Sequence, residues 1–265
     1  MKEQLAQTIH QRHLLFDFVR RNLRQKYVGS IGGFAWMVVQ PILLLLVYTF
    51  VFSVILGVRF DRSDTEVTSF ALYLYSGLVP WFAFSEAVSR ATTCLVDQGN
   101  LIRNVRFPAK ILPATAVVSE LVNEAVSILV LLGALGIAGQ LPSWTLIFLP
   151  LLFALQFVFT VGLTLALSAV HVFFRDIGHI VGAGLLVWMF TTPIFYPESQ
   201  VPDRFQGMIT YNPMAYLVRM YRRIIMDGQP PALRDVGIFA MAAAASLAFG
   251  WWVFTRNHRK LADLV

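Results

Sequence analysis

Six stretches of the chain are nearly unbroken runs of apolar residues, and polar residues collect between them. The runs are Phe34–Leu56, Phe70–Val88, Val117–Ile137, Trp144–Val170, Ile180–Phe195 and Val236–Phe254. Most approach the ~20 residues that a helix needs to cross a ~30 Å hydrocarbon layer, and the fifth is the shortest. This pattern predicts an all-α integral membrane protein with six transmembrane helices. The polar, basic residues 1–33 precede the first run and no small-residue cleavage pattern follows it. The first span is therefore expected to stay in the protein rather than leave as a signal peptide.

Three segments between the runs have patterns of their own. In Leu14–Tyr27, the residues Leu15, Phe16, Phe18, Val19, Leu23 and Tyr27 share one broad face at ~100° per residue, opposite Asp17, Arg20, Arg21 and Arg24. Lys26 adds a further cation, and Gly29, Gly32 and Gly33 supply a hinge before the first span. Such an amphipathic helix lies on a membrane surface, either as a simple anchor or as a holder of a lipid-linked anion. The second segment falls within Asp97–Pro113, where Leu101, Ile102, Val105 and Phe107 interleave with Arg103, Asn104 and Arg106 before a stop at Pro108. It reads as a short surface helix that either seats in a groove on a partner or rests on lipid as a connector. The third runs from Pro193 to Pro231 and is too apolar for an ordinary loop, yet its prolines break it too often for one membrane helix. Irregular backbone at membrane depth needs protein or a water-filled cavity to satisfy it. The segment is thus a re-entrant element beside a pathway, or else a surface loop with interfacial helices.

Composition sharpens the membrane reading. The chain is 57% hydrophobic and 14% charged with mean hydropathy +0.65, far from the roughly 25% charged residues of soluble domains. Lysines and arginines cluster before the first span, between the second and third, and after the last, so both termini are expected in the cytoplasm. The arginines of the proline-broken segment, Arg219, Arg222 and Arg223 among them, dilute that bias. The net charge of +6 follows from this topological asymmetry and gives no reason to invoke nucleic acid. One cysteine excludes an intrachain disulfide and a cysteine-cluster metal site.

Candidate chemistry is sparse. No G-x-x-x-x-G-K-[S/T], H-E-x-x-H or G-x-S-x-G occurs, so no catalytic residue, metal site or nucleotide site is expected on this chain. The third span carries Glu120, Asn123 and Glu124 on about one helical face. Intramembrane carboxylates either pair structurally with cations, for which Arg103, Arg106 and Arg175 are the expected partners, or couple to an ion. Tyr48, near the middle of the first span, either packs against other helices or offers a stacking surface to a sugar.

Five segments together carry a family resemblance: FDFVRRNLRQKYVGSIGGFAWMVVQP at Phe16–Pro41, NLIRNVRFP at Asn100–Pro108, FFRDIGH at Phe173–His179, TPIFYP at Thr192–Pro197 and YNPMAYLVRMYR at Tyr211–Arg222. In order and spacing they resemble the ABC-2 type permeases that export polysaccharides, most closely the Wzm-type O-antigen permeases, with teichoic-acid and capsule exporters nearby. The resemblance implies the ABC-2 exporter fold, in the bacterial cytoplasmic (inner) membrane, as a homodimer on two copies of a separate ABC ATPase that holds ATP and Mg. The cargo it implies is an undecaprenyl-diphosphate-linked glycan. Its domains would be a cytoplasmic N-terminus over 1–33, a six-span domain over 34–255 and a cytoplasmic tail over 256–265.

By position, the resemblance makes Leu15–Tyr27 an interface helix near the lipid entrance, with Arg20, Arg21, Arg24 and Lys26 near the diphosphate. It makes Leu101–Phe107, within about 99–108, a coupling helix in the ATPase, and Glu198–Asp227 a pair of re-entrant periplasmic gate helices. Tyr48, Phe190, Phe195, Tyr196, Tyr211, Asn212, Tyr216 and Arg219 would belong to the glycan channel and gate. Arg219, Arg222 and Arg223 would then snorkel to outer head groups or meet the emerging glycan. An ABC-2 exporter of small hydrophobic drugs shares the span count, a transferase acting on lipid-linked sugars would need a carboxylate or histidine dyad, and a purely structural subunit would leave the proline-broken segment without a use.

Overall fold

The computed structural model describes residues 17–27, 32–55, 69–99, 109–140 and 143–264, and among these every regular element is helical. Helix α1 covers residues 17–27. A short 3₁₀ turn, Gly33–Ala35, leads into α2 (Trp36–Tyr48), which continues as a π-helical stretch over Thr49–Ile55. Then follow α3 (Ser69–Asp97), α4 (Ile111–Ile137), a 3₁₀ turn at Trp144–Phe148 with α5 (Leu149–Phe173), and α6 (Ile177–Thr191). Between α6 and the last helix come two 3₁₀ turns, α7 (Gln206–Thr210) and α8 (Pro213–Ile225), and the chain ends in α9 (Leu233–Leu264).

Four of these stretches, Gly33–Phe52, Ile111–Ile137, Trp144–Phe173 and Leu233–Asn257, are long and apolar enough to cross a membrane. The other two apolar runs of the sequence also form helices, and each departs from that standard for its own reason. Helix α6 has only 15 residues. Helix α3 has 29, yet Tyr73, Tyr75, Ser76, Gly77, Pro80 and Ser85 lower its hydropathy. Packing explains the tolerance: α3 is the central helix, touching α4, α5, α6 and α8, and Leu74, Tyr75, Leu78, Trp81 and Phe84 on it are all buried. A helix surrounded by protein is shaped by what its neighbours need, whereas one facing lipid must be apolar outward.

The largest interface joins α5 to α9. Gly162 and Gly250 meet there, and a Cβ at Gly162 would run into the backbone of Ser246 and Leu247. Small residues allow such close approach where apolar burial gives little drive between helices in lipid. The Ser246 hydroxyl donates to the Phe159 carbonyl at 2.8 Å across the same seam. Further along, Trp81, Phe84, Phe159, Trp188 and Phe239 join α3, α5, α6 and α9 through edge, tilted and stacked ring contacts 5.2–6.5 Å apart. Helices α2 and α6 lie at the margin of this core, reaching it through Leu45, Leu185 and Trp188 while Leu43, Leu46, Val47, Leu186, Val187 and Phe190 are exposed.

The proline-broken segment has two readings in the sequence, a re-entrant element and a surface loop, and the burial of α8 excludes the surface loop for that helix. Instead of lying on a surface, α8 is packed against α3, α5 and α9, with Met214, Leu217, Val218, Met220, Tyr221 and Ile224 fully buried. Pro213 at its first turn and Asn212 at its N-cap fix its start, and the Asn212 Oδ1 accepts from the Met214 N–H at 3.0 Å.

Candidate functional site

Helix α1 divides the candidate site into an outer and an inner face. On its outer face Arg20, Arg21 and Arg24 are exposed, and with Asp17 and Gln25 they border an open groove of about 520 Å³. The inner face docks on protein rather than on lipid. Val19 is buried, Phe18 packs against the cluster that includes Leu165, Val253 and Phe254, and the Asn22 amide donates to Thr115 Oγ1 of α4 at 3.3 Å. An amphipathic stripe in the sequence says only that one face is covered, so it served the protein core as readily as the acyl boundary.

Lys26 belongs to the inner face. Its Nζ lies 2.9 Å from Glu120 Oε2, while Arg90 Nη1 of α3 lies 2.7 Å from Glu120 Oε1. Glu120 is only 2% exposed, so one buried carboxylate binds α1, α3 and α4 through two cations that still reach solvent. The Glu120 partners are thus Lys26 and Arg90, not Arg175; Arg103 and Arg106 lie outside the described residues. Asn123 continues the seam by donating to Glu120 Oε2 at 2.7 Å and accepting from the Tyr27 hydroxyl at 3.1 Å.

One turn deeper, Glu124 Oε2 accepts from Gln156 Nε2 of α5 at 2.9 Å, and Gln156 Oε1 accepts from the Tyr221 hydroxyl of α8 at 3.2 Å. The three polar residues of α4 therefore do not act as one group. Glu120 and Asn123 secure α1, and Glu124 faces α5 and α8.

At the other end of the molecule, α8 is held by its arginines. Arg222 is 8% exposed and donates to the Tyr73 hydroxyl and the Pro193 carbonyl, each at 2.7 Å, and to the Ile194 carbonyl at 2.8 Å. Its guanidinium lies 3.6 Å from the centre of the Tyr73 ring, and Gly77 leaves the space it occupies. Burial lowers Arg222 to about 10, so it is still charged at neutral pH. Arg219 makes a bidentate pair with Glu198, at 3.0 and 2.7 Å, and reaches Asp235 at 3.0 Å. Burial opposes the Arg219 charge, but these two carboxylates outweigh it and raise its pKa above the ordinary value. Arg223 donates to the Pro230 carbonyl and the Gln229 side chain. All three arginines are engaged by the protein itself; Arg222 in particular neither snorkels nor faces an open path.

The channel and gate candidates separate in the same way. Asn212 is buried and, besides capping α8, accepts from Trp188 Nε1 at 2.8 Å and donates to Thr192 Oγ1 at 2.9 Å. Tyr216 is buried and donates to the Thr210 carbonyl at 2.8 Å. Tyr211, by contrast, is 88% exposed. Phe190 is exposed and stacks on Phe195 at 5.3 Å, and the Tyr196 hydroxyl donates to the Phe190 carbonyl at 2.9 Å. Tyr48 joins an aromatic series through Phe52 and Phe70 to Tyr73. The sequence singled out neither Tyr73 nor Gln156, because a tyrosine or glutamine in an apolar run is marked only by the neighbour it meets. Arg90 was visible only as topological charge. The coupling candidates Leu101, Ile102, Arg103, Asn104, Val105, Arg106 and Phe107 lie outside the described residues, and among the described residues no cluster could hold a metal ion.

A helical bundle with four helices long and apolar enough to cross a membrane, a basic amphipathic helix near its start and a broken helical segment before its last helix has the build of an integral membrane protein. A family model described as ABC-2 type transporter matches residues 14–226. Among curated proteins, the O-antigen export system permease protein RfbA of Myxococcus xanthus is 36% identical over 89% of this chain and 91% of its own length. An RfbA permease of Klebsiella pneumoniae is 27% identical over 81% of each chain, and the polysialic acid transport protein KpsM of Escherichia coli is 24% identical over 92% and 93%. This chain belongs to the ABC-2 type transporter family and has its permease role.

Proposed function

We propose that this chain is the transmembrane subunit of an ATP-driven exporter of a lipid-linked polysaccharide of the O-antigen kind. The observation that carries the reading is the 36% identity to an O-antigen export permease over 89% of this chain and 91% of that protein. In this reading α2, α3, α4, α5, α6 and α9 are six spans of the inner membrane, with both termini cytoplasmic. Two copies associate on two ABC ATPase subunits, which bring ATP and Mg, and residues 101–107 form the contact that transmits ATPase closure.

The diphosphate of an undecaprenyl-linked glycan docks on the outer face of α1 at Arg20, Arg21 and Arg24. Their side chains are exposed on one face beside an open groove, which suits capture of an anion from a membrane surface. Lys26 has a different part: bound to Glu120, it holds α1 against α4 so that the three arginines keep their position. Exposed Tyr211 and Phe190, with Phe195 and Tyr196, supply aromatic faces that sugar rings can pass, while Asn212, Tyr216 and Arg219 hold α8 and its flanking turns in place.

Deletion of the gene is expected to leave undecaprenyl-linked polymer in the cytoplasm and none at the cell surface; normal surface polymer would refute the reading. A capsule-type cargo is the second reading, favoured by KpsM and by the capsule export inner-membrane protein CtrC of Neisseria meningitidis, 24% identical over 80% of this chain. Chemical analysis of the trapped polymer separates the two, and export of a small hydrophobic drug in place of polymer would contradict both.

A further inference from the structure

Between α1, α2, α3 and α4 lies a cavity of about 290 Å³ whose lining is mostly apolar on α2 and carries carboxylates on α3 and α4. Its mouth is shared with a shallow groove of about 500 Å³ on the exposed side of α2, bordered by the apolar Trp36, Leu43 and Val47. Lys26, Tyr27, Gln40 and Leu44 line both spaces and so form the threshold. The rest of the polar lining is Glu86 of α3, which is exposed, and Glu120, Asn123, Glu124 and Ser127 of α4, of which Glu120 and Glu124 are buried. An apolar groove, then a cation, then carboxylates is the order of groups met along an amphiphile with an acyl chain, a phosphate and a terminal ammonium.

The hydrogen-bond inventory favours a donor-rich head group. Glu120 is saturated by Lys26, Arg90 and Asn123. The carboxylate of Glu86 has no ion-pair partner among the described residues. Glu124, 2% exposed and part of the cavity lining, keeps Oε1 buried without a hydrogen-bond partner. A buried acceptor left unmet is costly, and Glu124 Oε1, with the exposed carboxylate of Glu86 bordering the same cavity, calls for an N–H donor carrying positive charge. Lys26 spends its contacts on one carboxylate and sits where a phosphate would follow.

We propose that this cavity is a binding site for one zwitterionic phospholipid with a primary ammonium, of the phosphatidylethanolamine type. Its ammonium lies toward Glu86 and Glu124, its phosphate at Lys26, and an acyl chain along the α2 groove. The bound lipid fills the space between α1 and α2 and is separate from the diphosphate position on the outer face of α1. The inference needs only that the chain is embedded in a bilayer, so it stands or falls apart from the identity of the cargo.

The test uses the permease with its ATPase partner, exchanged into nanodiscs of synthetic phosphatidylethanolamine, phosphatidylcholine or phosphatidylglycerol and released for native mass spectrometry. Phosphatidylethanolamine is expected to remain bound at one per permease chain. Phosphatidylcholine, whose ammonium has no N–H, and phosphatidylglycerol, which has no ammonium, are expected to be retained about tenfold less. Glu86→Gln and Glu124→Gln should each lower phosphatidylethanolamine retention about tenfold. Because Glu124 also bonds Gln156, a Glu124→Gln protein that misfolds leaves the decision to Glu86→Gln, whose side chain is exposed. Equal retention of the three lipids, or unchanged retention in Glu86→Gln, would overturn the proposal. So would lipid-linked glycan being the species displaced by Glu86→Gln when complexes are taken from native membranes.

Discussion

Helices α1 and α8 each carry three arginines, and the protein uses them in opposite ways. On α1, Arg20, Arg21 and Arg24 project from one exposed face, while the helix is held through Asn22, Lys26 and Tyr27 on the other. On α8, Arg219, Arg222 and Arg223 are themselves the holding groups, bound to carboxylates, carbonyls and a tyrosine ring. The difference lies in what surrounds each helix. A helix wrapped by α3, α5 and α9 must meet its charges from within, as Arg222 does through two carbonyls and a tyrosine, because a buried guanidinium without acceptors is costly. A helix covered on one side can leave its charges for an external anion.

This contrast predicts a graded set of effects. Arg222→Leu removes three hydrogen bonds and leaves the Pro193 and Ile194 carbonyls without their donor. It should destabilise the protein by at least about 3 kcal/mol, read as a large fall in thermal unfolding temperature in detergent. Loss of Glu120 should come next. Glu120→Ala strands Lys26 and Arg90 and is expected to cost about 2 kcal/mol, less than a fully buried pair because both cations reach solvent. Its distinguishing mark is local: faster amide exchange across residues 17–27, with α8 unchanged.

Asn212→Ala should cost about 1–2 kcal/mol through the lost N-cap and the bonds to Trp188 and Thr192, and Asn212→Asp should restore the cap but not the amide donor. Arg219→Gln should cost about 1–2 kcal/mol, since its pair with Glu198 is about one-third exposed but the buried Asp235 also loses its cation. An Arg219→Gln effect as large as that of Arg222→Leu would break the claim that burial sets the rank.

Most of the helices could be read from apolar runs, because length and hydropathy are what a bilayer selects. The run at Phe70–Val88 marked only part of α3, which extends over Ser69–Asp97, since its later turns face protein and tolerate Arg90 and Asp97. The break at Asn212-Pro213 was also legible, as an N-cap followed by proline is a local signal. What the sequence did not reveal was direction. An arginine reads alike whether it faces head groups or backbone carbonyls, so the roles of Arg222 and Lys26 became visible only once Tyr73, Pro193 and Glu120 stood beside them. Glu120 and Glu124, one turn apart, looked like one intramembrane pair, yet they face different helices.

The most direct test is the affinity of the assembled transporter in nanodiscs for undecaprenyl-diphosphate-linked glycan, compared between the native protein and an Arg20→Gln, Arg21→Gln, Arg24→Gln variant. The three exposed arginines contribute little to folding, so stability should change by no more than about 0.5 kcal/mol. Affinity should fall at least about tenfold, and the native protein should lose most of that advantage at high salt, as expected for screened surface charge. An unchanged affinity with the arginines removed would contradict the account and leave α1 as an anchor alone.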